Sequence, residues 1–391
     1  MIKLIKSTFY REKETKDKLA QFVKKARRLS FSAECESFET LFARYQGRKR
    51  CLFFNSGSSA NLALIQALLN LGRIKKGDKV GFSAVTWPTN VMPLIQLGLI
   101  PVPVDVELET LNVSTRTIGE VIKKEKLKAF FTTNLLGFSS DIGEMAKLCR
   151  SKKIILLEDN CESLGRVYKG KKLGNFGLAG TFSFYVGHHM STIEGGAVCT
   201  DDKELAKMLG MVRAHGWDRN LKPEEKREIR GRFKKLSDFY AQYTFYDLGY
   251  NFRPTEVQGF LGKLQLKFLP EIIRKRSENF KKISKAIYKR SDLYYPLRFG
   301  HMDFISNFAV PVVCRSKKIR NKLVEKCKNS IEVRPIVGGD ILKQPFLHKY
   351  SKKKVYLPVA DIIHEQGIYF GNNPELNAKE IKKIIKVFTS I

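Results

Sequence analysis

Apolar and polar runs along the chain read as short strands interleaved with amphipathic helices. Residues 8 to 50 are basic with helical spacing, after an arm-like start. Cys51 to Phe54 is a short apolar run. It leads through the small-residue turn Asn55-Ser56-Gly57-Ser58-Ser59-Ala60-Asn61 into an apolar helix over Leu62 to Leu71. Strands are predicted at Lys79 to Ser83, Ile100 to Val104, Ala129 to Thr133, Ile154 to Leu157, Gly180 to Tyr185 and Gly195 to Thr200. Helices are predicted at 91 to 98 and Asp141 to Lys152. This alternation argues for an α/β layer around a buried, mainly parallel sheet. From Thr255 the texture changes. A long basic helix is expected from Glu256 to about Ser291, interrupted at Pro270, followed by strands at Phe308 to Val313 and Ile331 to Pro335 and a helical tail over Ala378 to Phe388. The predicted organisation is a larger domain over 1–270, including the arm, and a smaller one over 271–391.

At 391 residues and 43% hydrophobic content, the chain can bury a sizeable core. Its net charge of +32 raises the question of nucleic acid. The lysines, however, recur in short clusters, at 24–25, 75–76, 123–124, 171–172, 281–282, 352–354 and 382–383. No zinc-finger, RNA-recognition or helix-turn-helix pattern accompanies them. A lysine-biased solvated surface is expected; a positive field that draws in an anionic substrate is the alternative. The seven cysteines are odd in number and form no Cys-x-x-Cys pair, so neither a disulfide framework nor a zinc ribbon is indicated. The longest apolar stretch, Val91 to Val104, contains three prolines and is too short to span a bilayer, and the start lacks the apolar core of a signal peptide. No membrane or nucleic-acid partner is expected, and the expected location is the cytoplasm.

Four segments carry candidate chemistry. Ser56 to Ala60 sits at a strand-to-helix turn, where small residues let backbone amides approach an anion at the positive end of a helix; alone, it also reads as a bare turn. Trp87, just past a strand end, can stack on a flat ring or be an ordinary core tryptophan. In Leu156-Leu157-Glu158-Asp159-Asn160-Cys161-Glu162, the carboxyl end of a buried strand presents Asp159, which can pair with a protonated pyridine nitrogen, and Glu162 three residues on. Last comes Thr181-Phe182-Ser183-Phe184-Tyr185-Val186-Gly187-His188-His189, running on to Glu194-Gly195-Gly196.

In this order the segments resemble the DegT/DnrJ/EryC1/StrS family of sugar aminotransferases. In that family a serine-bearing strand leads, five residues later, to a lysine that binds pyridoxal phosphate (PLP). An acidic residue and two glycines follow six residues after the lysine. Ser183, His188 and Glu194-Gly195-Gly196 keep the register, with His188 in the lysine slot. The resemblance extends over roughly 30 to 385, through Gly249-Tyr250-Asn251-Phe252-Arg253 and Glu332-Val333-Arg334-Pro335. It implies a fold-type-I, aspartate-aminotransferase-like α/β fold: a mainly parallel seven-stranded mixed sheet with a smaller C-terminal α+β domain. It also implies that Gly57, Ser58 and Ser183 hold the cofactor phosphate, that Trp87 stacks on the ring, that Asp159 pairs with its nitrogen and that Glu162 lies near its 3-hydroxyl. Asn251 would reach the phosphate of a second subunit, which makes the protein a homodimer with shared active sites.

Histidine cannot form the covalent link that lysine forms, but it can move a proton near neutral pH. A branch of the family with this exchange and a His-His pair comprises sugar 3-dehydratases. The resemblance therefore implies that L-glutamate converts PLP to pyridoxamine phosphate (PMP). The 3-hydroxyl of a nucleotide-linked 4-keto-6-deoxyhexose, expected to be GDP-4-keto-6-deoxymannose, is then lost with His188 as the base. One subtype of the branch carries an iron–sulfur cluster on cysteines that follow the histidine. Here no cysteine lies between Cys199 and Cys314, so no cluster is expected. His215 is a candidate catalytic residue on a mobile loop, and Arg253 and Arg334 are candidate anion contacts. His189 is expected to pack or to orient its neighbour. The rival readings are an aminotransferase and a catalytically inactive binding protein of the same fold.

Overall fold

Seven strands form the central sheet of the computed structural model, which describes residues 1–233, 236–350 and 355–391. In chain order these are β1 (Arg50–Phe54), β2 (Lys79–Ser83), β3 (Ile100–Val104), β4 (Ala129–Thr133), β5 (Ile155–Asp159), β6 (Ala179–Ser183) and β7 (Gly196–Thr200). Their spatial order is β1-β7-β6-β5-β4-β2-β3. β6, β5, β4, β2 and β3 pair in parallel, while β7 runs antiparallel to both β1 and β6. Every residue of β4, β6 and β7 is buried, as expected of strands covered on both faces. The expected mainly parallel mixed sheet is the one observed.

A second, antiparallel sheet of β8 (Ala309–Val313), β9 (Val333–Pro335) and β10 (Gly367–Gly371), in the order β8-β10-β9, forms the smaller C-terminal layer. Its central strand, β10, has only three non-glycine residues between its two glycines and shows no strand pattern in sequence. Tertiary pairing on both edges makes it a strand. The arm closes on this layer: Ile2 bridges Ile331, and Leu4 N–H donates to Glu332 Oε2 at 2.9 Å. One apolar core runs from Ile2 and Leu4 through Val104 and Phe130 to Phe370 and Phe388, joining the two layers.

The long helix differs from expectation. It runs unbroken from Glu256 to Ile287, straight through Pro270. Proline removes one helical donor, but Leu269 and Ile272 on either side are buried, and tertiary burial outweighs the local loss. The predicted domain boundary near 270 therefore falls inside one continuous element. The helix start also organises its neighbour. Glu256, 5% exposed, accepts the N–H groups of Ser32 (2.8 Å), Glu34 (2.9 Å) and Cys35 (3.1 Å). These belong to the first turn of helix Ala33–Gln46, whose Ser32 cap makes no side-chain bond of its own.

Most of the lysine clusters lie on solvated faces. In the tail helix Ala378–Thr389, exposed Lys382 and Lys383 sit between buried Ile381 and Ile384. The cluster at Lys352 to Lys354 lies outside the described residues. Among the described residues, no helix is long and apolar enough to cross a membrane.

Replacing Glu256 with alanine leaves three amide donors without their acceptor, the one of Cys35 fully buried. Urea denaturation of Glu256→Ala is expected to show a loss of about 2–4 kcal/mol, with Glu256→Gln losing less; an unchanged midpoint would contradict the capping role.

Candidate active site

Parallel strands present their carboxyl ends to one side of the sheet, and the principal cavity opens there. It measures about 390 Å³ and is bordered by Thr133, Asp159 and Ser183, the last residues of β4, β5 and β6. Gly57, Ser58, Trp87, Glu162, His188 and Arg334 border it as well, so eight of the sequence-predicted site residues converge on one space. Leu4 and Ile5 of the arm close one wall.

The turn after β1 is set by steric exclusion. Helix Gly57–Asn70 begins five residues earlier than its apolar pattern suggests, with Ser56 as its cap accepting the N–H of Ser59 at 3.1 Å. A Cβ on Gly57 would lie 2.7 Å from the Ser183 Cβ and 3.3 Å from the Cys161 sulfur. A Cβ on Gly196 would lie 2.3 Å from the Ser56 carbonyl oxygen. Glycine at both positions lets the turn seat against β6 and β7, so that free N–H groups of a helix start lie beside Ser183. The first turn holds no acidic residue. Such a helix start, free of acidic side chains, is suited to an anion.

β5 ends in two carboxylates, and alternation along the strand sends them to opposite faces. Glu158 is fully buried and accepts the N–H groups of Gly174, Phe176 and Gly177 at 2.7–2.8 Å, so it is occupied by the fold. Asp159 faces the cavity. Its Oδ2 accepts from Asn61 Nδ2 and Asn90 Nδ2, both at 2.9 Å, and its Oδ1 from the Cys161 N–H at 2.9 Å. These two asparagines were not identified from sequence as a pair; their shared contact with Asp159 arises only from the fold. Glu162 takes the Leu136 N–H at 2.8 Å. Burial pushes its carboxyl up to about 8, with the Asp159 charge acting in the same direction against the Leu136 bond.

His188 lies against Tyr185 and Phe308, with ring centroids 5.8 and 5.5 Å apart. Its Nδ1 is shielded from solvent and makes no hydrogen bond among the described residues. Burial lowers its pKa to about 4, although the Asp159 charge and the Ser183 carbonyl pull it upward. The imidazole is therefore neutral at pH 7 and able to accept a proton. His189 is 2% exposed, turned away and bonded through Nε2 to the Ser306 carbonyl at 2.9 Å. Among the described residues, no lysine lines the cavity.

His215, Asn251 and Arg253 lie outside this cavity, yet they lie together. A β-bridge joins Ala214 to Asn251, His215 N–H donates to the Tyr250 carbonyl at 2.8 Å, and Arg253 Nε donates to Asn251 Oδ1 at 2.9 Å. Both His215 and Asn251 are exposed. Arg334 stands at the cavity wall while paired with Glu332 at 2.6 Å, so the salt bridge expected as one alternative is present at the edge of the cavity. Trp87, 56% exposed, borders the cavity and is not a core tryptophan.

The residues present fit PLP. The close Gly57–Ser183 contact brings a helix start with backbone donors to the cavity, Asp159 is a tethered carboxylate able to pair with a pyridine nitrogen, and Trp87 offers an aromatic surface at the cavity edge.

Known proteins share this arrangement. The chain is 37% identical over 361 residues to GDP-4-keto-6-deoxy-D-mannose 3-dehydratase of Escherichia coli O55:H7, covering 91% of this chain and 92% of that protein. It superposes with a TM-score of 0.90, at 34% identity, on a crystal structure of a mutant GDP-4-keto-6-deoxymannose-3-dehydratase with bound GDP-perosamine, covering 99% of this chain and 100% of that one. A structure of GDP-4-keto-6-deoxymannose-3-dehydratase with a trapped PLP-glutamate geminal diamine matches with a TM-score of 0.88 at 34% identity, over 99% of this chain and 100% of that one. With residues 10–389 also matching the sequence model of the DegT/DnrJ/EryC1/StrS aminotransferase family, the chain belongs to that family.

Proposed function

We propose that this protein is a PLP/PMP-dependent sugar 3-dehydratase. It removes the 3-hydroxyl of a nucleotide-linked 4-keto-6-deoxyhexose, GDP-4-keto-6-deoxymannose, to give a 3,6-dideoxy-4-keto sugar, with L-glutamate regenerating PMP. The observation that carries the reading is a neutral histidine in the family's lysine slot, in a cavity that no described lysine lines. Similarity to dehydratases over nine-tenths of the chain supports it. The match to lipopolysaccharide biosynthesis protein RfbH of Salmonella typhimurium, 31% identical, supports a place in surface-polysaccharide synthesis.

When bound, the cofactor supplies the amine that engages the 4-keto group and an electron sink in its ring. Gly57, Ser58 and Ser183 hold its phosphate. Asp159, kept in place by Asn61 and Asn90, keeps the pyridine nitrogen protonated. Trp87 covers one face of the ring. Glu162, neutral up to about pH 8, donates a hydrogen bond to the ring oxygen. The neutral His188 accepts a proton on its ring, then returns it to the departing hydroxyl so that it leaves as water. Arg334 contacts the anionic co-substrate or substrate.

The remaining residues act on a second copy. Asn251 and Arg253, with His215 beside them, are delivered to the partner's cavity, and Asn251 meets the partner's cofactor phosphate. Their grouping on one exposed edge, away from their own cavity, supports this reading. So do the neighbouring exposed aromatics Phe239, Tyr240, Tyr243 and Phe245, 57–75% exposed, which a dimer would cover. The dimer acts in the cytoplasm.

Protein incubated with PLP, L-glutamate and GDP-4-keto-6-deoxymannose is expected to release 2-oxoglutarate and ammonia with a sugar lighter by one oxygen, read by mass spectrometry; a stable 4-amino sugar as sole product would sink the assignment. His188→Lys is expected to bind PLP covalently, with the matching absorbance change, and to cut dehydration by about 100-fold or more while amino transfer rises. Dehydration at the original rate in that variant would remove His188 from the mechanism.

A further inference from the structure

The loop that carries His188 is held from behind by a charge that never touches the cavity. Arg276 lies on the long helix and is 5% exposed. Its Nη1 donates to the Asn372 carbonyl at 2.6 Å and its Nη2 to the carbonyl of His188 itself at 3.1 Å. Asn372, just past β10, answers with Nδ2 donating to the Arg276 carbonyl (2.9 Å) and the Asn307 carbonyl (3.0 Å). One guanidinium thereby ties the His188–His189 loop to the long helix and to the small sheet.

Its helix neighbours Arg274 and Lys275 pair with Glu278 and Glu271. Arg276 has no carboxylate partner among the described residues, and its Nε is buried without any partner. Fixing a loop needs only a neutral donor, whereas an unpaired buried charge is costly to keep. A second cavity, of about 30 Å³ and wide enough for a water, is bordered by Arg276, His188, His189 and Gln265. Of these, only His188 also borders the principal cavity, so Arg276 acts on the chemistry through His188.

We propose that Arg276 is a positioning residue for His188: it fixes the backbone of the base and holds a positive charge without a carboxylate partner behind the imidazole. The charged and titratable groups facing His188 divide accordingly. Burial comes first and opposes its protonation, Asp159 at the end of β5 and the Ser183 backbone favour it, and Arg276 from the helix adds a smaller opposing influence. For His189 burial comes first and Arg276 second, with His188 acting in the same direction. Glu162, Glu194, Arg334, Tyr185 and Tyr369 share the principal cavity with His188.

The inference rests on His188 being the base, so its test includes a readout independent of turnover. Protein carrying ring-labelled histidine gives six imidazole signals, with His188 assigned from the one lost in His188→Asn. In Arg276→Met, the His188 titration is expected to move up by about half a unit or more, and the acid limb of the kcat–pH profile should move with it. The sign follows from the neutral form being active: removing a positive neighbour makes protonation easier, so activity is lost at a higher pH. kcat at pH 7.5 is expected to fall about 10- to 100-fold with the sugar KM nearly unchanged. Arg276→Lys should restore the wild-type titration while recovering only part of kcat. If Arg276→Met does not fold, Arg276→Gln replaces it. A His188 titration unmoved in a folded, uncharged variant overturns the proposal, as does an unchanged kcat. Wild-type protein that dehydrates no sugar would count against the dehydratase reading alone, because the titration would still stand.

Discussion

Three backbone segments meet without room for a side chain at the carboxyl edge of the sheet. The Ser56–Gly57 turn, the end of β6 at Ser183 and the start of β7 at Gly196 pack so closely that a methyl group on either glycine would overlap its neighbour. The rest of the site depends on this contact. It seats the start of helix Gly57–Asn70 beside Ser183, and it fixes where β6 releases the chain into the loop bearing His188. Because β5 pairs with β6 in register, Asp159 is delivered to the same space. A helix start, a tethered carboxylate and a buried imidazole are thus brought to one space by one steric constraint on adjacent strands.

Burial then decides what each group can do. Desolvation is the first influence on both His188 and Glu162, and it moves them in opposite directions, toward an imidazole without its proton and a carboxyl that keeps one. Both are therefore neutral at pH 7. Neighbouring elements refine that outcome. Asp159 opposes the effect at His188 and reinforces it at Glu162, and its own position is held by donors from two separate helical segments. The acid and base character of the cavity belongs to the packed arrangement of β5, β6 and the long helix.

The charge of the chain has a plainer explanation. Lys382 and Lys383 of the tail helix lie between buried aliphatic residues and face solvent, which suits a solvated surface more than a nucleic-acid groove. Several also pair locally with acids three or four residues away, such as Lys18 with Glu14 and Lys275 with Glu271, and such exposed pairs contribute little to stability. The charges that act on His188 are buried ones, Asp159 and Arg276.

Local sequence determined a great deal by itself. Short apolar runs bounded by small residues located all seven strands of the large sheet, because a strand buried on both faces must be continuously apolar. The spacing of Ser183, His188 and Glu194-Gly195-Gly196 marked a segment that borders the cavity, because the distance from a strand end to the loop after it is counted in residues. Only tertiary structure could decide the remainder. β10 is a strand through its two pairing partners, and Pro270 stays helical through burial on either side. Asn61 and Asn90 converge on one carboxylate from separate segments, and Arg276 reaches His188 across 88 residues of chain. These contacts join positions far apart in sequence, and periodicity, which reports only on neighbours along one element, carries no trace of them.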